Sequence, residues 1–128
     1  MRQRILVVED DRDCRELIVI QPRSLGYRTI EADSGATGLE RAVTETPDLI
    51  IMDLGLLGVS GVEAMLWLKD DPRTKHIPII VYTAWQEEGS KKKLSQLGAA
   101  KVLTKPVSTA ELHELVQGLL EVSLQTWL

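Results

Sequence analysis

One cysteine, Cys14, is the whole thiol content of these 128 residues. A lone cysteine excludes an internal disulfide and fits a reducing cytoplasm. No apolar run approaches the ~18 residues of a membrane-spanning helix. Met1-Arg2-Gln3-Arg4 runs directly into a strand-like segment, so no secretory leader is expected. Positive charge is also scarce: fifteen Lys and Arg stand against nineteen Asp and Glu, for a net charge of -4. Nonspecific binding of nucleic acid needs a basic face, so neither nucleic acid nor membrane is an expected partner. A Gly-rich phosphate loop is missing after the first apolar run, where acidic residues stand instead, which argues against a nucleotide binder. Repeats, linkers and low-complexity stretches are absent too. With 44% hydrophobic and 27% charged residues the chain is neither disordered nor membranous, and residues 1–128 read as one domain able to bury a core.

What is present is an alternation of strand and helix. Apolar, β-rich runs at about 4–8, 28–31, 49–52, 79–82 and 100–103 read as strands. Four of them lack polar alternation, as strands covered on both faces do; Arg28-Thr29-Ile30-Glu31 alternates and belongs nearer an edge. Cys14, Leu17, Ile18 and Leu25 share helical spacing after the first strand, with Pro22 expected to kink or end that helix. Ser34 opens a second helix bearing Leu39, Ala42 and Val43 on one face, stopped by Pro47. Ser60 and Glu63 form a capping box for a third, whose inward residues are Val62, Met65 and Leu68 or Lys69. Leu66 and Trp67 flank that stripe and read as core, with an association patch as the other reading. A fourth helix at about 87–97 has only Leu94 and Leu97 as apolar anchors, and its Lys91-Lys92-Lys93 reads as a solvated face. Ser108 and Glu111 form a second capping box, with Val107 and Leu112 as a hydrophobic staple. Leu112, Leu115, Val116, Leu119 and Val122 make the last helix amphipathic. Right-handed crossovers then give an α/β, doubly wound (βα)5 domain around a five-stranded parallel sheet.

Four strands finish in polar groups. Glu9-Asp10-Asp11 follows Ile5–Val8, Asp53 follows Leu49–Met52, Thr83 follows Ile79–Tyr82, and Lys105-Pro106 follows Val102–Thr104. Strand carboxyl ends of a parallel sheet lie on one edge, so carboxylates, a hydroxyl and an ammonium should converge there. Such a gathering suits phosphoryl and metal chemistry.

These blocks resemble the receiver domain of two-component response regulators over essentially the whole chain. Ile5-Leu6-Val7-Val8-Glu9-Asp10-Asp11 is similar to that family's acidic opening, and Pro47–Leu54 with Gly61 to its phosphoacceptor block. Tyr82-Thr83-Ala84, and Gly98-Ala99-Ala100 leading to Lys105-Pro106, complete the set. The resemblance implies strand order 2-1-3-4-5 and Asp53 as phosphoacceptor, fed by a histidine kinase or a histidine phosphotransfer protein. It implies Mg²⁺ held by Asp10 and Asp53, with Glu9 as a ligand or a holder of coordinated water and the Gly55 carbonyl completing the set. Thr83 and Lys105 would contact phosphoryl oxygens. Three carboxylates about 5 Å apart repel by roughly 3–4 kcal/mol per pair at an effective dielectric near 20, which a hard divalent cation relieves. Phosphorylation adds about -1.5 to -2 charges. Thr83 and Lys105 following those charges would shift the surface near the last two helices toward a second packing, read by a downstream partner.

Departures from the family pattern define the remaining expectations. Leu57 replaces a usual proline and is flanked by Gly55 and Gly58, so loop 54–60 is expected to be more mobile than usual. Val102 stands at the switch position, where the family favours an aromatic ring; valine has no ring and a stiff χ1. These two residues motivate an alternative, a phosphorylation-independent protein-binding module. Gly55 offers neither base nor shield and Trp85 is bulky, so slow loss of the phosphoryl group is expected. A phosphohydrolase would need a second carboxylate two residues past Asp53, where Gly55 stands, so no turnover of an external substrate is expected beyond the domain's own phosphorylation and dephosphorylation. Asp11 reads as a cap, Cys14 as core, and His76 and His113 as surface residues. Neither a helix-turn-helix nor a catalytic module follows the last helix; a stand-alone regulator, a receiver from a longer protein and a homodimer all fit.

Overall fold

Why the chain alternates as it does is plain in a computed structural model that describes residues 3–55, 61–83, 88–104 and 108–125. Among these, strands β1 (Arg4–Val8), β2 (Arg28–Ala32), β3 (Leu49–Asp53), β4 (Ile79–Thr83) and β5 (Lys101–Thr104) form one sheet in the order β2-β1-β3-β4-β5. Every pairing is parallel. Helices α1 (Arg12–Ser24), α2 (Gly35–Glu45), α3 (Gly61–Asp70), α4 (Glu88–Gln96) and α5 (Thr109–Gln125) connect and follow them. The expected fold class and strand order are both observed.

Side-chain alternation divides each strand between two apolar layers. Leu6, Val8, Ile50, Met52, Ile79 and Val81 pack with Ala42 of α2, Met65 and Leu68 of α3, and Leu94 of α4. Ile5, Val7, Leu49, Ile51, Ile80 and Tyr82 pack with Val19 of α1 and Leu112, Val116 and Leu120 of α5. The chain has no phenylalanine, so these layers are built almost wholly from aliphatic side chains, each contributing about 1.5–3 kcal/mol on burial.

Three expectations about faces need correction. On α1, Leu17 is 67% and Leu25 40% exposed, while Val19 and Pro22 are buried and Cys14 and Ile18 half-buried. The inward stripe is 14, 18, 22 with 19 beside it, and Leu17 lies about 100° around the helix from Ile18. Trp67 (60% exposed) and Leu66 (41%) are not core. The buried side of α3 is Gly61, Ala64, Met65 and Leu68, and positions 66 and 67 point away from it. β5 alternates, with Lys101 exposed and Leu103 buried, because it pairs only with β4 and is the second sheet edge.

Helix ends follow the local sequence. Ser34 caps α2, its Oγ accepting from the Thr37 N–H at 3.1 Å. Asp11 Oδ1 accepts from the Cys14 N–H at 2.9 Å, the cap expected of it. Ser108 Oγ accepts from the Glu111 N–H at 3.1 Å, one half of the expected capping box. Past Pro22, α1 ends within a turn: Tyr27 N–H donates to the Pro22 carbonyl and Gly26 N–H to that of Arg23, with Gly26 at φ 90°. This is a Schellman closure. The end of α4 repeats it, with Ala99 N–H on the Leu94 carbonyl, Gly98 N–H on that of Ser95, and Gly98 at φ 120°. Ser60 and Val107, and with them one capping box and the staple, lie outside the described residues.

Candidate functional site

Register decides what meets at the carboxyl edge. Val8 pairs with Met52 and Asp53 with Tyr82, so Glu9 and Asp53 leave neighbouring strands side by side. Carboxylate oxygens of Glu9, Asp10 and Asp53 all lie within 4.8 Å of one another. Glu9 is 1% and Asp53 5% exposed, and Asp10 is half-buried. Thr83, 3% exposed, ends β4 at the same edge. Three expected site residues thus form one cluster and a fourth stands at its border. The set offers only oxygen donors, and closely spaced carboxylates with one member open to solvent fit a hard divalent cation of the Mg²⁺ kind.

Backbone geometry around Asp53 is set by two glycines. Gly55 N–H donates to Asp53 Oδ1 at 3.0 Å, turning the chain back over the carboxylate. A Cβ on Gly55 would stand 3.7 and 3.8 Å from the two Asp53 oxygens, an ordinary contact. Glycine here is therefore not demanded by space. Gly61 is different, since a Cβ there would fall 2.5 Å from the Asp53 carbonyl oxygen and the Leu54 Cα. Only glycine lets α3 start this close to the strand end that carries Asp53.

Two further residues shape the site that spacing alone did not mark. Tyr82 donates its hydroxyl to Glu9 Oε2 at 2.5 Å. Burial, then the hydrogen bond to Glu9 and the negative charges of Glu9 and Asp53, push the phenol far above its ordinary range, so it stays a donor. Arg15 Nη1 donates to the Glu9 carbonyl at 2.9 Å while its Nε pairs with Glu31 Oε1 at 3.1 Å. The signal for Tyr82 was present: a buried phenol in an aliphatic strand needs a partner, and its place two residues past Ile80 puts it on the face of Glu9. Arg15 gave no such signal, because surface arginines on helices are ordinary.

Other expectations divide by what is described. Lys105, Trp85 and Leu57 lie outside the described residues, as does Gly58. Val102 is half-buried and packs against the layer formed with α2, α3 and α4. Cys14 is half-buried, His76 exposed and His113 half-buried. Lys92 and Lys93 are exposed, as a solvated face requires. Among the described residues, no helix is long and apolar enough to cross a membrane.

Comparisons with known proteins agree with this geometry. The profile described as "Response regulator receiver domain" matches residues 5–117. The polar-differentiation response regulator DivK of Brucella ovis is 36% identical over 120 residues, covering 94% of this chain and 98% of that protein. A receiver domain of a sensor histidine kinase from Pseudomonas aeruginosa, solved with a magnesium ion coordinated in its active-site cleft, is 30% identical with a TM-score of 0.85, over 94% of this chain and 99% of that one. A CheY-like receiver from Methanospirillum hungatei, 21% identical, shares the fold at a TM-score of 0.90 over 98% of this chain and 99% of that one. Sequence likeness along nearly the full length, carried on the same sheet order, places this chain in the response regulator receiver domain family of two-component signalling.

Proposed function

We propose that Asp53 is the phosphoacceptor of this receiver and that residues 1–128 act as one phosphorylatable unit. The observation that carries this is the convergence of Glu9, Asp10 and Asp53 within 4.8 Å at the end of the sheet. An Asp53 oxygen attacks the phosphorus of a phosphohistidine on a histidine kinase or phosphotransfer protein. The O–P bond forms as the P–N bond breaks, and the electron pair departs with the imidazole, leaving an acyl phosphate. Such transfer depends on position and on charge neutralisation more than on covalent help from the protein. Gly55 N–H holds one Asp53 oxygen, which orients the carboxylate. Asp10, Asp53 and the Gly55 carbonyl would hold Mg²⁺, with Glu9 as a further ligand or a holder of its coordinated water, and the ion would supply the positive charge that three crowded carboxylates require. Thr83 donates to a phosphoryl oxygen and Lys105 offers a point charge to another.

The phosphorylated domain then presents an altered surface near α4 and α5 to a downstream protein in the cytoplasm. Val102 cannot carry the aromatic rotamer change usual at its position, so the shift runs through Thr83 and Lys105. Self-association belongs to the same reading: Trp67 stands exposed beside a groove between α2 and α3 lined by Leu39, Val43 and Leu68. Sedimentation of Trp67→Glu against the parent chain tests it, with a lower association constant expected.

Intact mass after treatment with acetyl phosphate, with and without Mg²⁺, tests the central assignment. One phosphoryl addition that needs Mg²⁺ and disappears in Asp53→Asn is expected. Undiminished labelling of Asp53→Asn at another residue removes Asp53 from the role, and no labelling of the parent chain favours a phosphorylation-independent binding module.

A further inference from the structure

We infer that Tyr82 is a positioning residue for the acidic cluster, holding the Glu9 carboxylate in the place where a divalent cation is bound. The inference rests on the Mg²⁺ reading above and deepens it. β3 lies between β1 and β4 in the sheet, so Tyr82 on β4 must reach across the strand of Asp53 to meet the residue that follows β1. It does so with a short hydrogen bond, its hydroxyl donating to Glu9 Oε2 at 2.5 Å. Tyr82 and Glu9 are 4% and 1% exposed, so water competes little for that bond. The ring is fixed at its other end, packed in the layer that holds Ile51, Leu103 and Leu112. A glutamate has three side-chain torsions and many ways to point; a rigid donor anchored in the core selects one of them.

Backbone contacts serve the same end. Arg15 Nη1 holds the Glu9 carbonyl at 2.9 Å, and Glu9 N–H donates to the Ala32 carbonyl at 3.0 Å. The main chain of Glu9 is thus tied to α1 and to the end of β2, and the phenol adds a contact on the carboxylate itself. Groups that hydrogen-bond a metal ligand typically change metal affinity 10–100-fold when removed. Tyr82 also joins the α1–α5 packing layer to the cluster, so cation binding and that layer share one side chain.

The test is an amide-resolved NMR titration of the full chain with MgCl₂, comparing the parent, Tyr82→Phe, Glu9→Gln and the double variant, alongside urea unfolding of each. Tyr82→Phe keeps the ring and should fold; its dissociation constant for Mg²⁺ should rise about tenfold. Because Tyr82 acts through Glu9, the double variant should bind no more weakly than Glu9→Gln alone. A purely structural phenol would lower stability in urea and leave the Mg²⁺ constant within twofold, and that result overturns the inference. So does additivity of the two substitutions. Should Tyr82→Phe fail to fold, Tyr27→Phe protein labelled with 3-fluorotyrosine leaves Tyr82 as the sole fluorine probe. Its ¹⁹F resonance should move with the same midpoint as the amides, and a resonance that ignores Mg²⁺ overturns the assignment. A parent chain that binds no Mg²⁺ overturns the cation reading along with it, whereas a binding parent and an unaltered Tyr82→Phe remove only the role of Tyr82.

Discussion

At the scale of single residues, two positions carry backbone constraints that a side-chain inventory does not show. Gly61 sits against the strand end of Asp53, where a Cβ would come within 2.5 Å of two backbone atoms. Backbone cannot yield as a flexible side chain does, so Gly61→Ala should cost about 2–4 kcal/mol in urea unfolding and weaken Mg²⁺ binding by displacing Asp53. Thr46 is the opposite case. It is the described non-glycine residue with positive φ (44°), at the C-cap of α2 just before Pro47. The proline disfavours the right-handed helical region at Thr46, and a β-branched residue pays about 1–2 kcal/mol in the left-handed one. Thr46 is exposed, so Thr46→Asn should stabilise by about 0.5–1 kcal/mol, read as a higher urea midpoint at constant m.

Among elements, the two Schellman closures make a controlled pair. Gly26 and Gly98 both lie at positive φ, yet a Cβ on Gly26 meets nothing within 4 Å while one on Gly98 meets Lys69 Cγ at 2.8 Å. Lys69 cannot easily swing away. Its Nζ donates to the carbonyls of Lys75 and Ile77 at 3.2 and 2.9 Å, clamping the connection from α3 to β4, and burial lowers its pKa. Gly26→Ala should therefore cost about 1 kcal/mol from backbone strain alone, and Gly98→Ala more than that. Chemical denaturation of the two variants checks the order. Sequence periodicity found each of these helices and the inward Met65 and Leu68 of α3, but it misjudged Leu17 and Leu25 on α1 and Leu66 and Trp67 on α3. Leu17, Leu66 and Trp67 are as apolar as their buried neighbours, and the side that meets the sheet is set by how each helix docks.

For the whole molecule, function and stability pull against each other at the acidic edge. Three carboxylates held within 4.8 Å repel in the absence of a cation. Asp53→Asn should thus raise the stability of the metal-free protein by about 1–2 kcal/mol while abolishing phosphorylation. The parent should gain about 1.4 kcal/mol at a Mg²⁺ concentration ten times its dissociation constant, and Asp53→Asn should lose most of that gain. Thermal unfolding with and without Mg²⁺, on both proteins, measures the two effects together.

By itself the sequence determined that strands and helices alternate, that the strand ends carry Glu9, Asp10, Asp53 and Thr83, and that an open parallel sheet would bring such ends to one edge. Those features are local: apolar runs, caps and the order of polar residues along the chain. Only the tertiary structure decided which strands are neighbours, and so that Glu9 and Asp53 meet while Tyr82 spans the strand between them. That bond joins residues 73 apart in sequence, and no local pattern encodes a distance that exists only once β1, β3 and β4 lie in register.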